Sequence, residues 1–173
     1  MMENCNYDRA EMMAFNIVRQ GAIGEVLHAE GGYLHDLGER FTLGDVNTSL
    51  IKTALGKTVM VQHCTNLPRP YSRINLVQGT KGMFQGYPDR VYIEGRGKPH
   101  QWVTAADVRD EFDHPLGTEI EARAAGAGHG GMDFIEDYRL VKCLREGLPT
   151  DLDVPDFTRG RWRTNQALDL VGV

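Results

Sequence analysis

Three features are scarce or missing in this sequence of 173 residues: cysteine, a surplus of basic residues, and long apolar runs. The three cysteines, Cys5, Cys64 and Cys143, are an odd number spread along the chain, which favours reduced thiols over a disulfide framework. Lysine and arginine number 19 against 24 acidic residues, a net charge of −5, which argues against a dedicated nucleic-acid binder. No apolar run approaches the ~20 residues of a membrane-spanning helix, and the N-terminus does not resemble a signal peptide. We therefore expect a cytoplasmic protein that binds neither nucleic acid nor membrane.

What is present is typical of one globular domain. Hydrophobic residues make up 41% and charged residues 25% of the chain, close to the average for soluble proteins. The 20 glycines stand in pairs and small clusters between periodic segments, which indicates many short elements joined by turns. We expect a single domain over residues 1–173, with no dinucleotide-binding domain in it.

Apolar spacing predicts two long helices. Residues 7–20 have apolar side chains three and four positions apart, and Asn6 would cap the start of this helix. A second helix is predicted over residues 132–146, with Ile135, Tyr138, Val141 and Leu144 on one apolar face. A glycine directly after each segment supplies the left-handed residue that commonly ends a helix.

Between the helices the sequence favours strands. The predicted strands cover residues 25–34, 49–54, 58–64, 74–78, 82–85, 90–94 and 101–103. The turns between them are short, which favours antiparallel hairpins over long crossovers. The sequence therefore predicts an α+β fold, an open and mainly antiparallel β-sheet with helices packed on one face.

Residues 126–131, Gly-Ala-Gly-His-Gly-Gly, match the G-x-G-x-x-G pattern of a dinucleotide-binding turn and precede the second helix. In that role the pattern follows a strand, whereas residues 118–125 are charged and alanine-rich and indicate a short helix. A glycine-rich turn that leads into a helix is therefore the favoured interpretation. His129 could still face a ligand, because the start of a helix offers unpaired N–H groups.

Tyr33 and His35 lie two residues apart on a predicted strand, so both project from the same face, about 7 Å apart. A phenol beside an imidazole can act as an acid–base pair, and Gly31 and Gly32 before them leave room for a substrate. The alternative, which the residues alone favour, is a surface tyrosine with a solvated histidine at the end of a strand.

Residues 67–71, Leu-Pro-Arg-Pro-Tyr, form a stiff extended segment, because each proline fixes its own φ and restricts the residue before it. Such a segment can present Arg69 and Tyr71 to a sugar or an anion, or it can simply brace a hairpin. The histidines and cysteines lack the spacing of a zinc site, so we expect no metal.

Several segments, in their order along the chain, together resemble the C-terminal region of one enzyme family. They are Glu-Asn-Cys at 3–5, Gly-Gly-Tyr-Leu-His-Asp at 31–36, Leu-Pro-Arg-Pro-Tyr at 67–71, Gly-Thr-Lys-Gly at 79–82, the glycine-rich segment 126–132 and Leu-Arg-Glu-Gly-Leu-Pro at 144–149. The family is that of the NAD-dependent glycoside hydrolases typified by bacterial α-N-acetylgalactosaminidase, a branch of the Gfo/Idh/MocA oxidoreductase superfamily. Compared with the family, this chain lacks the Rossmann domain, a Tyr-Pro-Thr-His substrate segment between His35 and Pro68, and a Tyr-Asp stretch after residues 152–154.

The resemblance implies a reaction in which tightly held NAD oxidises the sugar at C3, and the new ketone acidifies the proton at C2. A base removes that proton, the substituent at C1 leaves, water adds, and the hydride returns to C3. By resemblance, Tyr33 matches the base, Tyr71 matches a substrate-binding tyrosine, and Glu3 and Asn4 match residues that contact the cofactor. The implied substrate is an N-acetylhexosaminide, and the implied cofactor is NAD.

These observations support one main hypothesis and several alternatives. The main hypothesis is the substrate-side domain of such a glycosidase, inactive alone because it lacks the cofactor domain. The alternatives are a non-catalytic assembly or interaction module, a fragment of a related sugar oxidoreductase, and a truncated gene product. Because an open sheet can leave an apolar face or edge uncovered, we also expect a homo-oligomer.

Overall fold

The computed structural model describes residues 3–38 and 44–151, so the family segment at 152–154 lies outside the described residues. The strands are β1 Val26–Leu34, β2 Asn47–Lys52, β3 Thr58–Cys64, β4 Leu76–Gly79, β5 Gly82–Gln85, β6 Arg90–Ile93 and β7 Val103–Thr104. The α-helices are α1 Arg9–Arg19, α2 Arg109–Phe112, α3 Pro115–Ala124 and α4 Met132–Glu146. Short 3₁₀ turns cover Asn4–Tyr7, Ala105–Val108 and Gly128–Gly131. Within the described ranges, no helix has the length and apolar character needed to cross a membrane.

The described strands form one sheet in the order β2-β3-β1-β4-β5-β6-β7. Every neighbouring pair is antiparallel except β1 and β3, which run parallel. The prediction of an α+β fold with an open, mainly antiparallel sheet is therefore confirmed. The sequence analysis did not predict the parallel pair, and the extent of the domain over residues 1–173 stays a prediction.

Helix α1 packs its apolar side against one face of the sheet. Met13 and Ile17 of α1 are buried against Val59 and Phe84, because residues three and four apart share one side of a helix. On the far side of α1, Met12 joins a second apolar cluster with α3 and α4. The strand residues of the first cluster lie on this one face, and the second cluster joins α3 and α4 to the far side of α1, so the described helices lie on one side of the sheet, as predicted.

Helix α1 begins later than the sequence predicted. A 3₁₀ turn occupies Asn4–Tyr7, and the cap is Asp8, whose carboxylate accepts a hydrogen bond from the N–H of Ala10 at 2.9 Å. The prediction that Asn6 caps this helix is therefore wrong. At the other end, Gly21 has the expected left-handed conformation, with a φ of 69°.

Helix α4 has the predicted bounds, but only part of its predicted apolar face is covered. Ile135 is buried and Tyr138 packs against the same apolar cluster, whereas Val141 and Leu144 are exposed. The reason is the position of α3, whose Ile120 shares this cluster with Ile135 but not with Val141 or Leu144.

Candidate functional site

Two adjacent parallel strands place an aromatic pair near one end of the sheet. In the register of β1 and β3, Tyr33 lies opposite His63, and the two rings stack with their centroids 6.1 Å apart. The Tyr33 hydroxyl lies 3.4 Å from Nδ1 of His35. The structure therefore brings Tyr33 and His35 together, and it adds His63, which sequence analysis did not select.

The segment after β3 brings Tyr71 to the same place. Hydrogen bonds of 2.9 Å and 3.0 Å run in both directions between the backbones of Leu34 and Ser72, so this segment pairs with the end of β1. The ring of Tyr71 lies edge-on to Tyr33 at 6.0 Å and to His35 at 5.1 Å between centroids. The two tyrosines that the resemblance selected are thus neighbours in space.

Tyr87, in the turn between β5 and β6, contributes another ring. Its centroid lies 6.1 Å from that of Tyr71, and the planes are nearly perpendicular. Tyr33, Tyr71 and Tyr87 are all 37–40% exposed, so part of each side chain is accessible to a ligand. Sequence analysis missed Tyr87 because its partner comes from a distant turn. The aromatic cluster, as we name it, consists of Tyr33, His35, His63, Tyr71 and Tyr87.

A largely buried arginine, Arg73, links the aromatic cluster to the start of α1. The guanidinium of Arg73 lies 5.7 Å from the ring centroid of Tyr71, forms an ion pair with Asp8 and contacts the carboxyl group of Glu11. Nε of Arg73 lies 2.8 Å from a carboxyl oxygen of Glu11, and the side chain of Glu11 is almost fully buried. Arg73 is therefore the arginine that contacts Tyr71, whereas Arg69, one of the two residues that segment 67–71 was considered able to present to a ligand, is exposed.

Burial and charge determine which groups of the site are ionised. Burial, together with the nearby carboxylate of Asp8, raises the pKa of Glu11 to about 9, so Glu11 holds a proton at neutral pH. Burial also raises the pKa of Tyr71, and that of Tyr87 to about 12, although Arg73 opposes both shifts. Tyr71 and Tyr87 are therefore neutral phenols at neutral pH, able to donate hydrogen bonds.

Glu3 and Asn4 lie at the start of the described chain, beside α4. The side-chain nitrogen of Asn4 donates a 2.7 Å hydrogen bond to Asp133, in the first turn of α4. The thiol of Cys5 lies 3.5 Å from the side-chain oxygen of Asn4. Burial raises the pKa of this thiol, and a hydrogen bond from Arg73 opposes the shift. Cys5 therefore contacts both Asn4 and Arg73, the arginine that packs against Tyr71.

The glycine-rich segment 126–131 is a turn that follows helix α3, not a strand. The interpretation as a turn leading into a helix is therefore confirmed, and the context of a dinucleotide-binding fingerprint is absent here. His129, with a φ of 50°, pairs with Asp133 at 2.8 Å and is largely exposed.

The described residues do not fit a complete NAD site. A dinucleotide needs backbone donors for its pyrophosphate, usually in a glycine-rich turn between a strand and a helix. Both polar atoms of the Asn4 side chain already have partners, Asp133 and Cys5. The Glu3–Asn4 segment can therefore contact the cofactor at one edge at most. The roles of Glu3 and Asn4 in cofactor binding stay predictions. No cluster of three potential metal ligands occurs among the described residues, and the prediction of no metal stays untested.

Several solved structures with the same fold are described as dehydrogenases or oxidoreductases. Levoglucosan dehydrogenase in complex with NADH and levoglucosan superposes with a TM-score of 0.67 at 17% identity, over 96% of this chain and 62% of that chain. An inositol dehydrogenase homolog from Azotobacter vinelandii, complexed with NADH and myo-inositol, gives a TM-score of 0.57 at 15% identity, over 97% and 60%. At these identities the likeness shows the fold alone.

Sequence comparison then gives the family. The model described as "Glycosyl hydrolase 109, C-terminal domain" matches residues 7–40 and 37–159. A glycosyl hydrolase family 109 protein of Shewanella pealeana is 34% identical over 277 aligned positions, and protein 1 of the same family from Shewanella sp. strain MR-4 is 35% identical over 278. The chain belongs to glycosyl hydrolase family 109. It covers 61% of the length of these curated relatives, with 99% of its own residues aligned.

The comparisons also show where this chain differs from its relatives. The alignment with the Shewanella pealeana protein has 277 positions, so at least 104 of them (277 less 173) face no residue of this chain. The match to the family model divides at residues 37–40, directly after β1. This break lies in the interval where sequence analysis found the Tyr-Pro-Thr-His segment missing.

Proposed function

We propose that this chain forms the substrate-side part of a NAD-dependent glycosidase that acts on an N-acetylhexosaminide. The observation that carries the proposal is the contact between Tyr33 and Tyr71, 6.0 Å apart, with His35 against both rings. These are the tyrosines that the resemblance matches to the base and to a substrate contact. Membership of glycosyl hydrolase family 109 supports a carbohydrate as the ligand.

In this proposal Tyr33 is the base and His35 receives its proton. The 3.4 Å contact lets the phenol pass its hydrogen to Nδ1 of His35 when that nitrogen is unprotonated. The phenolate then takes the proton from C2 of the sugar, and the electron pair left at C2 forms the bond to C1 as the C1 substituent departs. Redox chemistry at C3 belongs to the cofactor, whose binding needs residues beyond those described.

Tyr71 orients the sugar in the same proposal. Because its pKa is raised by burial, the phenol stays neutral and donates a hydrogen bond to a sugar hydroxyl. The apolar face of its ring also offers a stacking surface for the sugar. Arg73 holds the ring in place from behind, so Tyr71 is ordered before the sugar arrives.

The test is calorimetric titration of the purified chain with N-acetylgalactosamine and with its p-nitrophenyl glycoside. We expect both to bind, and Tyr71→Ala to weaken both about tenfold, the effect of losing one aromatic contact and one hydrogen bond. Tyr92 is the matched control, because its register in the β5–β6 hairpin places it on the opposite face of the sheet. If a folded wild-type chain binds neither ligand, or if Tyr92→Ala weakens binding equally, the proposed function is wrong.

A second candidate function is assembly, and the uncovered face of the sheet favours it. Opposite α1, the sheet carries partly exposed apolar side chains, and Leu50 on β2 is 74% exposed. The others, assigned to this face by strand register, are Met60, Leu76, Met83 and Tyr92. Polar residues such as Glu30 and Gln78 share this face. An uncovered sheet face that exposes several apolar side chains is typical of a contact with a second copy, so we propose a homo-oligomer formed through it.

Light scattering after gel filtration tests the assembly. We expect the wild-type chain to be an oligomer, and Met60→Glu to shift it towards the monomer, because a buried unpaired carboxylate opposes the contact. Leu55→Glu is the control, since Leu55 is apolar and more exposed than Met60 but lies in the β2–β3 turn. A strict monomer at high concentration, or equal effects of both substitutions, would contradict the proposal.

A further inference from the structure

Tyr87 has a backbone conformation that its residue type disfavours. Its φ is 57°, in the left-handed region where a bulky side chain is strained and glycine is preferred. Such strain is found mainly where the surrounding structure enforces it, often at binding sites. The side chain of Tyr87 is therefore a candidate for ligand binding.

The strain extends to the segment that faces Tyr87. Ile74 and Asn75 also have positive φ values, 67° and 50°, and they directly follow Arg73. A 2.8 Å hydrogen bond from the N–H of Gly86 to the carbonyl of Asn75 ties the two segments together. Two strained turns thus meet at the point where Tyr71 and Tyr87 approach each other.

The three tyrosine rings form a row. Tyr71 lies 6.0 Å from Tyr33 and 6.1 Å from Tyr87, each time edge-on. Within the described part of the chain, no ring contact joins Tyr33 to Tyr87 directly, so Tyr71 stands between them. If one sugar ring binds against Tyr33 and Tyr71, Tyr87 lies on the side of Tyr71 away from Tyr33, next to whatever is attached to that sugar.

We propose that Tyr87 binds the group attached to that sugar, a second sugar or another ring-bearing substituent of the glycoside. This inference rests on the proposed function and adds a specificity residue to it. The exposed ring of Tyr87 provides a stacking surface, and its phenol can donate a hydrogen bond to an oxygen of the attached group. The substrate class is therefore a glycoside whose attached group is at least one ring in size.

The experiment compares two ligands on three proteins. The ligands are N-acetylgalactosamine and its p-nitrophenyl glycoside, and the proteins are the wild-type chain, Tyr87→Gly and Tyr87→Phe. Glycine removes the ring and suits the positive φ, so the turn keeps its conformation while the stacking surface is lost. We expect Tyr87→Gly to weaken the glycoside about fivefold and to leave the free sugar unchanged, whereas Tyr87→Phe retains most of the affinity.

The outcomes separate this inference from the function it rests on. If the wild-type chain binds both ligands and Tyr71→Ala weakens both, but Tyr87→Gly weakens neither or weakens both equally, the role of Tyr87 is overturned and the proposed function stands. If a folded wild-type chain binds neither ligand, both are overturned. Thermal denaturation of each variant shows whether it is folded under the conditions of the titration.

Discussion

Replacing Arg73 with methionine is expected to lower the free energy of unfolding by about 3 kcal/mol, the largest effect of any substitution at the site. The substitution leaves the Asp8 carboxylate, which is 27% exposed, without its cation, and it removes the guanidinium that contacts the buried, protonated Glu11. It also removes the guanidinium from behind the ring of Tyr71. Urea denaturation at pH 7 measures the loss, and methionine fills a similar volume, so the change reports mainly on charge.

The control for this experiment is Arg96→Met. Arg96 pairs with Glu111, but half of each side chain is exposed, so solvent screens the pair and its loss changes stability little. If Arg73→Met cost no more than Arg96→Met, the cluster of Arg73, Asp8 and Glu11 would have no special part in the fold. Binding of N-acetylgalactosamine by Arg73→Met gives a second reading, because a loosened Tyr71 is expected to bind the sugar more weakly.

Replacing Glu11 with glutamine is expected to make stability less dependent on pH. The folded-state pKa of Glu11, about 9, lies above its unfolded value, so the folded protein must take up a proton at neutral pH. The wild-type chain should therefore lose stability as pH rises from about 5 to about 9, by up to roughly 1.4 kcal/mol per pH unit, and level off above that. Glutamine has the shape of the protonated acid and does not titrate.

The difference between wild type and Glu11→Gln isolates this effect, because other titrating groups are common to both proteins. His114, whose pKa is lowered by burial, gives a slope of the opposite sign near pH 6, and this cancels in the difference. Glu121→Gln serves as the control, since Glu121 is 60% exposed and its loss should leave the wild-type slope unchanged. Parallel curves for wild type and Glu11→Gln between pH 5 and pH 9 would contradict the raised pKa.

Much of the sheet could be predicted because its signals are local. Strands β3 and β5 have the predicted bounds, since a glycine-bearing turn lies directly before each of them. The parallel pairing of β1 with β3 could not be predicted, because it joins residues about 30 positions apart with no turn between them that specifies it. Similarly, Asn6 and Asp8 are both good capping residues, and the 3₁₀ turn before α1 decides in favour of Asp8.

Only those residues of the candidate site that lie in recognisable sequence motifs could be predicted. Tyr33 and Tyr71 were selected by resemblance, and the structure adds that their rings are in contact. His63, Arg73 and Tyr87 have no local signal, since each gains its position from a distant segment. A polar residue that supports a site through long-range contacts is visible only once the strands are paired.

The parallel pair of β1 and β3 also bears on how this family can vary. Parallel strands end at the same edge of a sheet, so the chain leaves β1 beside Tyr33 and His63 and must travel back before it enters β3. The match to the family divides at residues 37–40, on that return path. Insertions and deletions there are compatible with an unchanged register of β1 and β3. We therefore expect relatives to differ in the length of this one connection while the paired strands on either side of it are held constant.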